Sequence, residues 1–177
     1  MARAKKSENS ETENKETQTQ EQPVAAEKSG GVESNAKAVK FQEYLMDNDI
    51  SVFSTESIDD EAVTVMFRSR VEANGQRLPC AVIIYKTIFT LIRTQIIASV
   101  KDEKRPRVKD YINDLNGRYK FFKYYMRDNG TVYLDLCLPF PNDEIDGKTV
   151  QIALGLLIRH LEDEYDAFMK VVWGQED

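Results

Sequence analysis

Side chains that could perform catalytic or metal-binding chemistry are few in this chain, and they lie far apart in sequence. His160 is the only histidine, and Cys80 and Cys137 are the only cysteines. Zinc sites and redox motifs need several such ligands at short, defined spacings. The sequence therefore predicts no catalytic residues, no metal ion and no cofactor. It predicts two reduced thiols and a histidine that is exposed or partly buried on a helix.

Two acidic segments invite other chemical interpretations. Residues 142–147 supply oxygen ligands and a glycine as the first half of an EF-hand calcium loop does, but the twelfth position is Ala153 where a glutamate is required. We therefore predict a capped loop that leads into a helix. The acidic run at residues 162–166 is predicted to be a solvated helix face rather than a pair of catalytic carboxylates.

Residues 118–125 interleave basic and aromatic side chains, a pattern that can stack bases and contact phosphates of single-stranded nucleic acid. The RNA-recognition signature has a glycine after its first basic residue, whereas here Gly117 precedes Arg118. The net charge of −6 also disfavours nucleic acid and anionic membranes as partners. The simpler interpretation is that these aromatic side chains belong to the core.

The first 35 residues differ in composition from the rest, since they hold almost no large apolar side chains. Such a segment cannot bury enough apolar surface to offset its ordering entropy. We predict a disordered tail at residues 1–35 and a single domain at residues 36–177. No apolar run approaches the ~18 residues of a membrane span, and no apolar run follows the basic N-terminus. The expected location is the cytoplasm.

Apolar periodicity predicts three helices and one antiparallel sheet. The helices are expected at residues 36–48, 103–115 and 148–173. Asn35 and Asp146 are candidate N-caps, and Asn116-Gly117 is a candidate C-cap. Strands are expected between the helices, in the order helix, three or four strands, helix, two strands, helix. The predicted fold class is α+β, with five or six strands and with the first and last helices on one side of the sheet.

Two Asn-Gly dipeptides, at residues 74–75 and 129–130, suit tight hairpin turns. If the second dipeptide is central in its turn, one face of the final hairpin carries Phe122, Tyr124, Met126 and Tyr133. The opposite face would hold Tyr119, Phe121, Lys123 and Tyr125 beneath the helices. A wider turn would exchange the two faces. Both faces are more apolar than a half-solvated sheet requires, so we predict the four residues on the first face as a partner-binding surface, unless the helix at residues 103–115 covers them.

The order of elements and the segment at residues 108–139 also carry a family resemblance. The matching pieces are the helix end at residues 112–116, the aromatic strand at residues 119–125, the small polar turn, the strand at residues 134–139 and the closing helix at residues 157–169. Over residues 38–173 the chain resembles the YbjN family of proposed bacterial sensory transduction regulators, whose fold is similar to that of type III secretion chaperones. The resemblance implies a homodimer that holds another polypeptide, and it implies no enzymatic activity.

The functional prediction from the sequence is a non-enzymatic, homodimeric protein-binding module that acts as a chaperone or a regulatory adaptor. The alternative is a sensory regulator that binds a small ligand in a pocket between the last helix and the sheet. Nucleic acid and membrane are not predicted partners.

Overall fold

The structure, a computed structural model, describes residues 31–174. Its elements follow the predicted order, with four strands between the first two helices. They are α1 (Ala36–Asp47), β1 (Ser54–Ser57), β2 (Val65–Ala73), β3 (Gln76–Ile84), β4 (Phe89–Ile97), α2 (Arg105–Arg118), β5 (Lys123–Met126), β6 (Val132–Pro139) and α3 (Gly147–Trp173). The α+β class with six strands and three helices confirms the predicted fold. Residues 1–30 of the predicted tail lie outside the described residues.

The six strands form one antiparallel sheet in the order β1-β2-β3-β4-β6-β5. The β2–β3 hairpin has the predicted register, with Phe67 opposite Val82 and Val71 opposite Leu78. Its turn residues Asn74 and Gly75 have φ angles of 48° and 73°. These positive angles are those of a type I′ turn, which Asn-Gly accepts at little cost.

One face of the sheet and the three helices enclose a single core. Alternate strand residues such as Phe67, Ile92 and Leu136 point into it and are fully buried. Leu157 and Leu161 of α3 are likewise buried at the centre of the long apolar stripe that the sequence shows. None of the helices in residues 31–174 is both long enough and apolar enough to cross a membrane.

Both predicted N-caps are present. The Asp146 side chain accepts a hydrogen bond from the backbone N–H of Lys148, and the Asn35 side chain accepts one from Ala38. The Asn35 amide also donates to the carbonyls of Val63 (2.8 Å) and Ile84 (3.1 Å). Asn35 is buried by these contacts, so it belongs to the folded domain although the predicted tail includes it.

The segment between α2 and β5 differs from the prediction. Helix α2 continues through Asn116-Gly117, the predicted C-cap, as far as Arg118. The Asn116 side chain instead donates to the carbonyl of Tyr124 (3.0 Å) and accepts from its N–H (2.8 Å). On the side of β5 away from β6, the Asn116 side chain thus forms the two hydrogen bonds that a neighbouring strand would form with Tyr124. Residues 119–122, predicted as strand, have no regular structure.

Candidate functional site

The turn of the final hairpin is wider than predicted. Tyr124 lies opposite Leu134 and Met126 opposite Val132, which leaves a five-residue loop at residues 127–131. Gly130 has a φ angle of +82°, and a Cβ atom there would lie 2.7 Å from the carbonyl oxygen of Val100. Glycine is therefore needed in this loop for its backbone angle and for the close approach. The odd loop length shifts the register by one residue and exchanges the two faces of β5.

This shift separates the four predicted partner-binding residues. Tyr124 is 3% exposed and points into the core, and Met126 packs against the same core. Phe122 stacks on His160 of α3. Only Tyr133 lies on the other face of the sheet. The prediction that these four residues form one surface is wrong, because it assumed a two-residue turn.

His160 and Glu164 lie at the centre of a polar and aromatic cluster between α2, α3 and β5. The Tyr124 hydroxyl lies 2.9 Å from His160 Nε2. Glu164 accepts hydrogen bonds from the Tyr119 hydroxyl and, at 3.4 Å, from the Tyr111 hydroxyl. Burial lowers the pKa of His160 and raises the pKa of Tyr124. These groups bind one another, so they act as a structural cluster.

Glu164 was predicted to lie on a solvated helix face, and that prediction is wrong for this residue. Its side chain is buried, and Arg118 approaches it at 3.5 Å in addition to the two tyrosines. The guanidinium of Arg118 also lies over the rings of Tyr111 and Tyr119. Three of the five rings of the 118–125 stretch, those of Tyr119, Phe122 and Tyr124, thus pack against α3, whereas Phe121 and the basic side chains stay exposed. This arrangement does not support the single-stranded nucleic-acid interpretation, which needs exposed rings.

The opposite face of the sheet, here called the open face, carries no helix in the described part of the chain. Its side chains come from the alternate strand positions that point away from the core. They are Ser54, Glu56, Met66, Arg68, Arg70, Glu72, Arg77, Pro79, Ala81, Ile83, Phe89, Leu91, Arg93, Gln95, Lys123, Tyr125, Tyr133, Asp135, Cys137 and Pro139.

The middle of the open face holds an ion pair that lies beside two stacked tyrosine rings. Arg93 Nε donates a hydrogen bond to Asp135 Oδ1 and Arg93 Nη2 donates one to Asp135 Oδ2, both at 2.8 Å. This hydrogen bonding raises the pKa of Arg93. The guanidinium lies 5.6 Å from the ring centroid of Tyr125 and 5.5 Å from that of Tyr133. The guanidinium of Arg127, the residue after β5, lies 5.0 Å from the ring centroid of Tyr133.

A groove of about 710 Å³, here called the Phe89 groove, lies at one end of the open face. Phe89 and Phe121 on its walls are 48% and 47% exposed, and Cys137 also lines the groove. Partial burial raises the pKa of the Cys137 thiol. Lys120 and Lys123 add positive charge at the border of the groove.

Sequence reasoning missed Lys37, which fixes one wall of the Phe89 groove from the helix side. Lys37 is buried on α1, and its ammonium donates to the carbonyl of Thr87 and, at 3.4 Å, to that of Phe89. Burial lowers its pKa. The sequence did contain one indication that Lys37 is buried: it precedes Phe41 by one helical turn and therefore lies on the apolar side of α1.

Two further hollows flank β2 at the other end of the sheet. The arginine hollow, of about 570 Å³, is lined on the open face by Arg68, Arg70 and Arg77. The apolar pocket, of about 240 Å³, lies on the core side between α1, α3 and β2. A pocket between the last helix and the sheet is the feature that the small-ligand alternative requires.

The family resemblance is supported by a direct comparison. The model of the YbjN family, described as "Putative bacterial sensory transduction regulator", matches residues 41–170. These residues include every strand, all of α2, and most of α1 and α3. None of the curated proteins compared with the chain matches it. Because the match covers well over half of the chain, this protein belongs to the YbjN family of regulators.

Proposed function

We propose that this regulator is a non-enzymatic protein-binding module, and that its open face holds an acidic segment of a partner protein. The observation that carries the proposal is the charge of that face. Its twenty side chains include five Lys or Arg and three Asp or Glu, whereas the whole chain has a net charge of −6. A basic face on an acidic protein favours encounter with acidic segments and disfavours other partners.

The apolar side chains of the open face support binding to a polypeptide. Phe89, Leu91, Tyr125 and Tyr133 are interleaved with the arginines, and phenylalanine, tyrosine and arginine are enriched at protein interfaces. The Arg93–Asp135 pair is already formed and is partly shielded by the neighbouring rings of Tyr125 and Tyr133. Little side-chain ordering is therefore needed when a partner binds.

The charges of the open face also disfavour association of two copies of the chain through this face. Two copies that met through their open faces would bring arginines against arginines, so an acidic partner suits this surface better than a second copy. The homodimer implied by the family resemblance would then use a different surface. We further propose that the protein acts in the cytoplasm and that, like a chaperone, it binds an extended segment of its partner.

The test compares two charge-reversal variants of the full chain as baits for cross-linking capture from an extract of the native host. Lys123→Glu with Arg127→Glu alters the open face, and Arg107→Glu with Lys109→Glu makes the same change of charge on exposed residues of α2. We expect wild type and the α2 variant to retain the same protein through an acidic segment, and the open-face variant to lose it. Equal capture by all three baits would overturn the proposal, as would loss of the captured protein after nuclease treatment.

The apolar pocket supports a second candidate function, the binding of a small apolar ligand. Its walls include Phe41, Leu45, Phe53 and Leu154. At about 240 Å³ it is smaller than the ~300–1,000 Å³ of most ligand sites. A rise in melting temperature with a pool of small apolar metabolites, lost in Leu154→Trp, would favour this candidate over the first.

A further inference from the structure

The edge of the sheet beside β1 is only half covered. Strand β1 pairs with β2 from Ser54, opposite Arg68, to Ser57, opposite Val65. Residues 69–73 of β2 continue past that point, and no strand of the described chain pairs with them on that side. Such an edge has backbone N–H and C=O groups that can pair with an extended polypeptide.

The two hollows described above lie on either side of this free edge. The apolar pocket is on the core side and the arginine hollow is on the open face. Both are lined by Val52, Ser69, Arg70 and Cys80, so they meet at this edge. Successive side chains of a strand point to opposite faces of its sheet. An added strand beside residues 69–73 would thus direct one side chain into the pocket and the next over the arginines.

The chemistry of the two hollows differs strongly. The walls of the pocket are mainly aromatic and aliphatic, with Arg70 at the side that it shares with the arginine hollow. Its volume of about 240 Å³ suits a large apolar side chain better than a drug-sized ligand. In the arginine hollow, Arg68 pairs with Glu56 at 2.5 Å. Arg70 and Arg77 form no ion pair with any residue in 31–174. Two unpaired guanidinium groups on one side of the edge favour carboxylates on that side of an added strand.

We infer that residues 69–73 bind an extended segment of the partner as an added strand, in which large apolar and acidic side chains alternate. The apolar side chain fills the pocket between α1, α3 and β2, and the neighbouring acidic side chains pair with Arg70 and Arg77. This inference rests on the proposed function, because it names the segment that a protein partner would present. A second copy of this chain fits poorly, since its own edge would place arginines against arginines.

The test uses random octapeptides displayed on phage and selected on the full chain. We expect enrichment of peptides in which apolar and acidic residues alternate. The affinity of an enriched peptide, measured by fluorescence anisotropy, should fall at least about tenfold in Val52→Asp and in Arg70→Glu, because each change repels a carboxylate at the edge.

Met46→Asp is the matched control for Val52→Asp, since Met46 is 64% exposed and Val52 67%. Met46 lies on α1 and lines neither hollow. The control should bind the peptide as wild type does. Amide hydrogen exchange should also slow within residues 69–73 when the peptide is bound, because the outward N–H groups then form hydrogen bonds.

Three results would overturn the inference: no enrichment of alternating peptides, equal loss of affinity in Met46→Asp, or protection that excludes residues 69–73. If protection instead covers the strands around Arg93, the edge site is wrong while the proposed open-face function stands. If peptides bind at the edge but the open-face baits capture the same proteins as wild type, the open-face proposal fails and the edge site stands.

Discussion

The ring of Phe122 stacks on the imidazole of His160, with centroids 4.0 Å apart and planes 10° from parallel. Tyr119 packs against the same imidazole at 4.5 Å in an edge-on geometry. These contacts hold the irregular segment 119–122 against α3. Phe121, between the two anchored rings, is left on the wall of the Phe89 groove. The packing of Tyr119 and Phe122 on α3 thus determines where Phe121 lies in the wall of the Phe89 groove.

Stability should depend on pH through His160. Burial lowers its pKa below the ordinary value of 6.5, so the unfolded chain takes up a proton first as the pH falls. The free energy of unfolding should therefore decrease as the pH drops below 6.5, until the folded histidine is also protonated. Urea unfolding of wild type and His160→Gln at several pH values measures this. An unchanged pH dependence in the variant would show that another group is responsible.

Glu164→Ala should destabilise the protein by about 1–3 kcal/mol, because it leaves the hydroxyls of Tyr119 and Tyr111 without their acceptor. Glu162→Ala is the control on the same helix, since Glu162 is exposed. Its free energy of unfolding should stay within about 0.5 kcal/mol of wild type. Equal effects in the two variants, measured by chemical denaturation, would mean that the cluster around Glu164 adds no stability.

Leu157→Ala and Leu161→Ala should each cost roughly 2–5 kcal/mol, the range for truncating a buried leucine. Leu156 directly precedes Leu157 in sequence and is 39% exposed, so Leu156→Ala should cost far less. Denaturant titration gives all three values. Near-neutral results for both buried leucines would contradict the packing of α3 on the sheet.

Two glycines of α3 should respond to alanine in opposite directions. A Cβ at Gly147 would lie 2.2 Å from a ring carbon of Tyr44, so Gly147→Ala should destabilise by about 1–3 kcal/mol as an overpacked core does. A Cβ at Gly155 meets nothing within 4 Å. Gly155→Ala should therefore stabilise by about 0.5–1 kcal/mol through helix propensity. Melting curves of the two variants test both signs.

The elements were predictable where local chemistry determines them. The Asn74-Gly75 turn fixes the register of β2 and β3, and the capping residues Asn35 and Asp146 mark the starts of α1 and α3. Asn129-Gly130 was misleading because Gly130 is required by a contact with Val100, which is distant in sequence. A shift of one residue was enough to exchange the faces of β5.

The open face could be predicted only in part. The sequence predicted a second, apolar sheet face, but three of the four residues named for it pack on the core side, because the prediction depended on the register of one hairpin. Arg93 and Asp135 lie far apart in sequence and meet only because β4 and β6 are neighbours in the sheet. Lys37 likewise needs the folded chain to reach the carbonyl of Thr87. Contacts between residues far apart in the chain leave no local sequence pattern from which they could be predicted.

The most direct test of the open face is the affinity of the full chain for the partner that it captures, with complementary charge changes on both sides. Lys123→Glu with Arg127→Glu should weaken binding by at least about tenfold while the melting temperature is kept. Lysines in place of the acidic residues on the partner's cross-linked segment should restore much of the lost affinity. An affinity equal to that of wild type in the open-face variant, or an equal loss in Arg107→Glu with Lys109→Glu, would contradict the account.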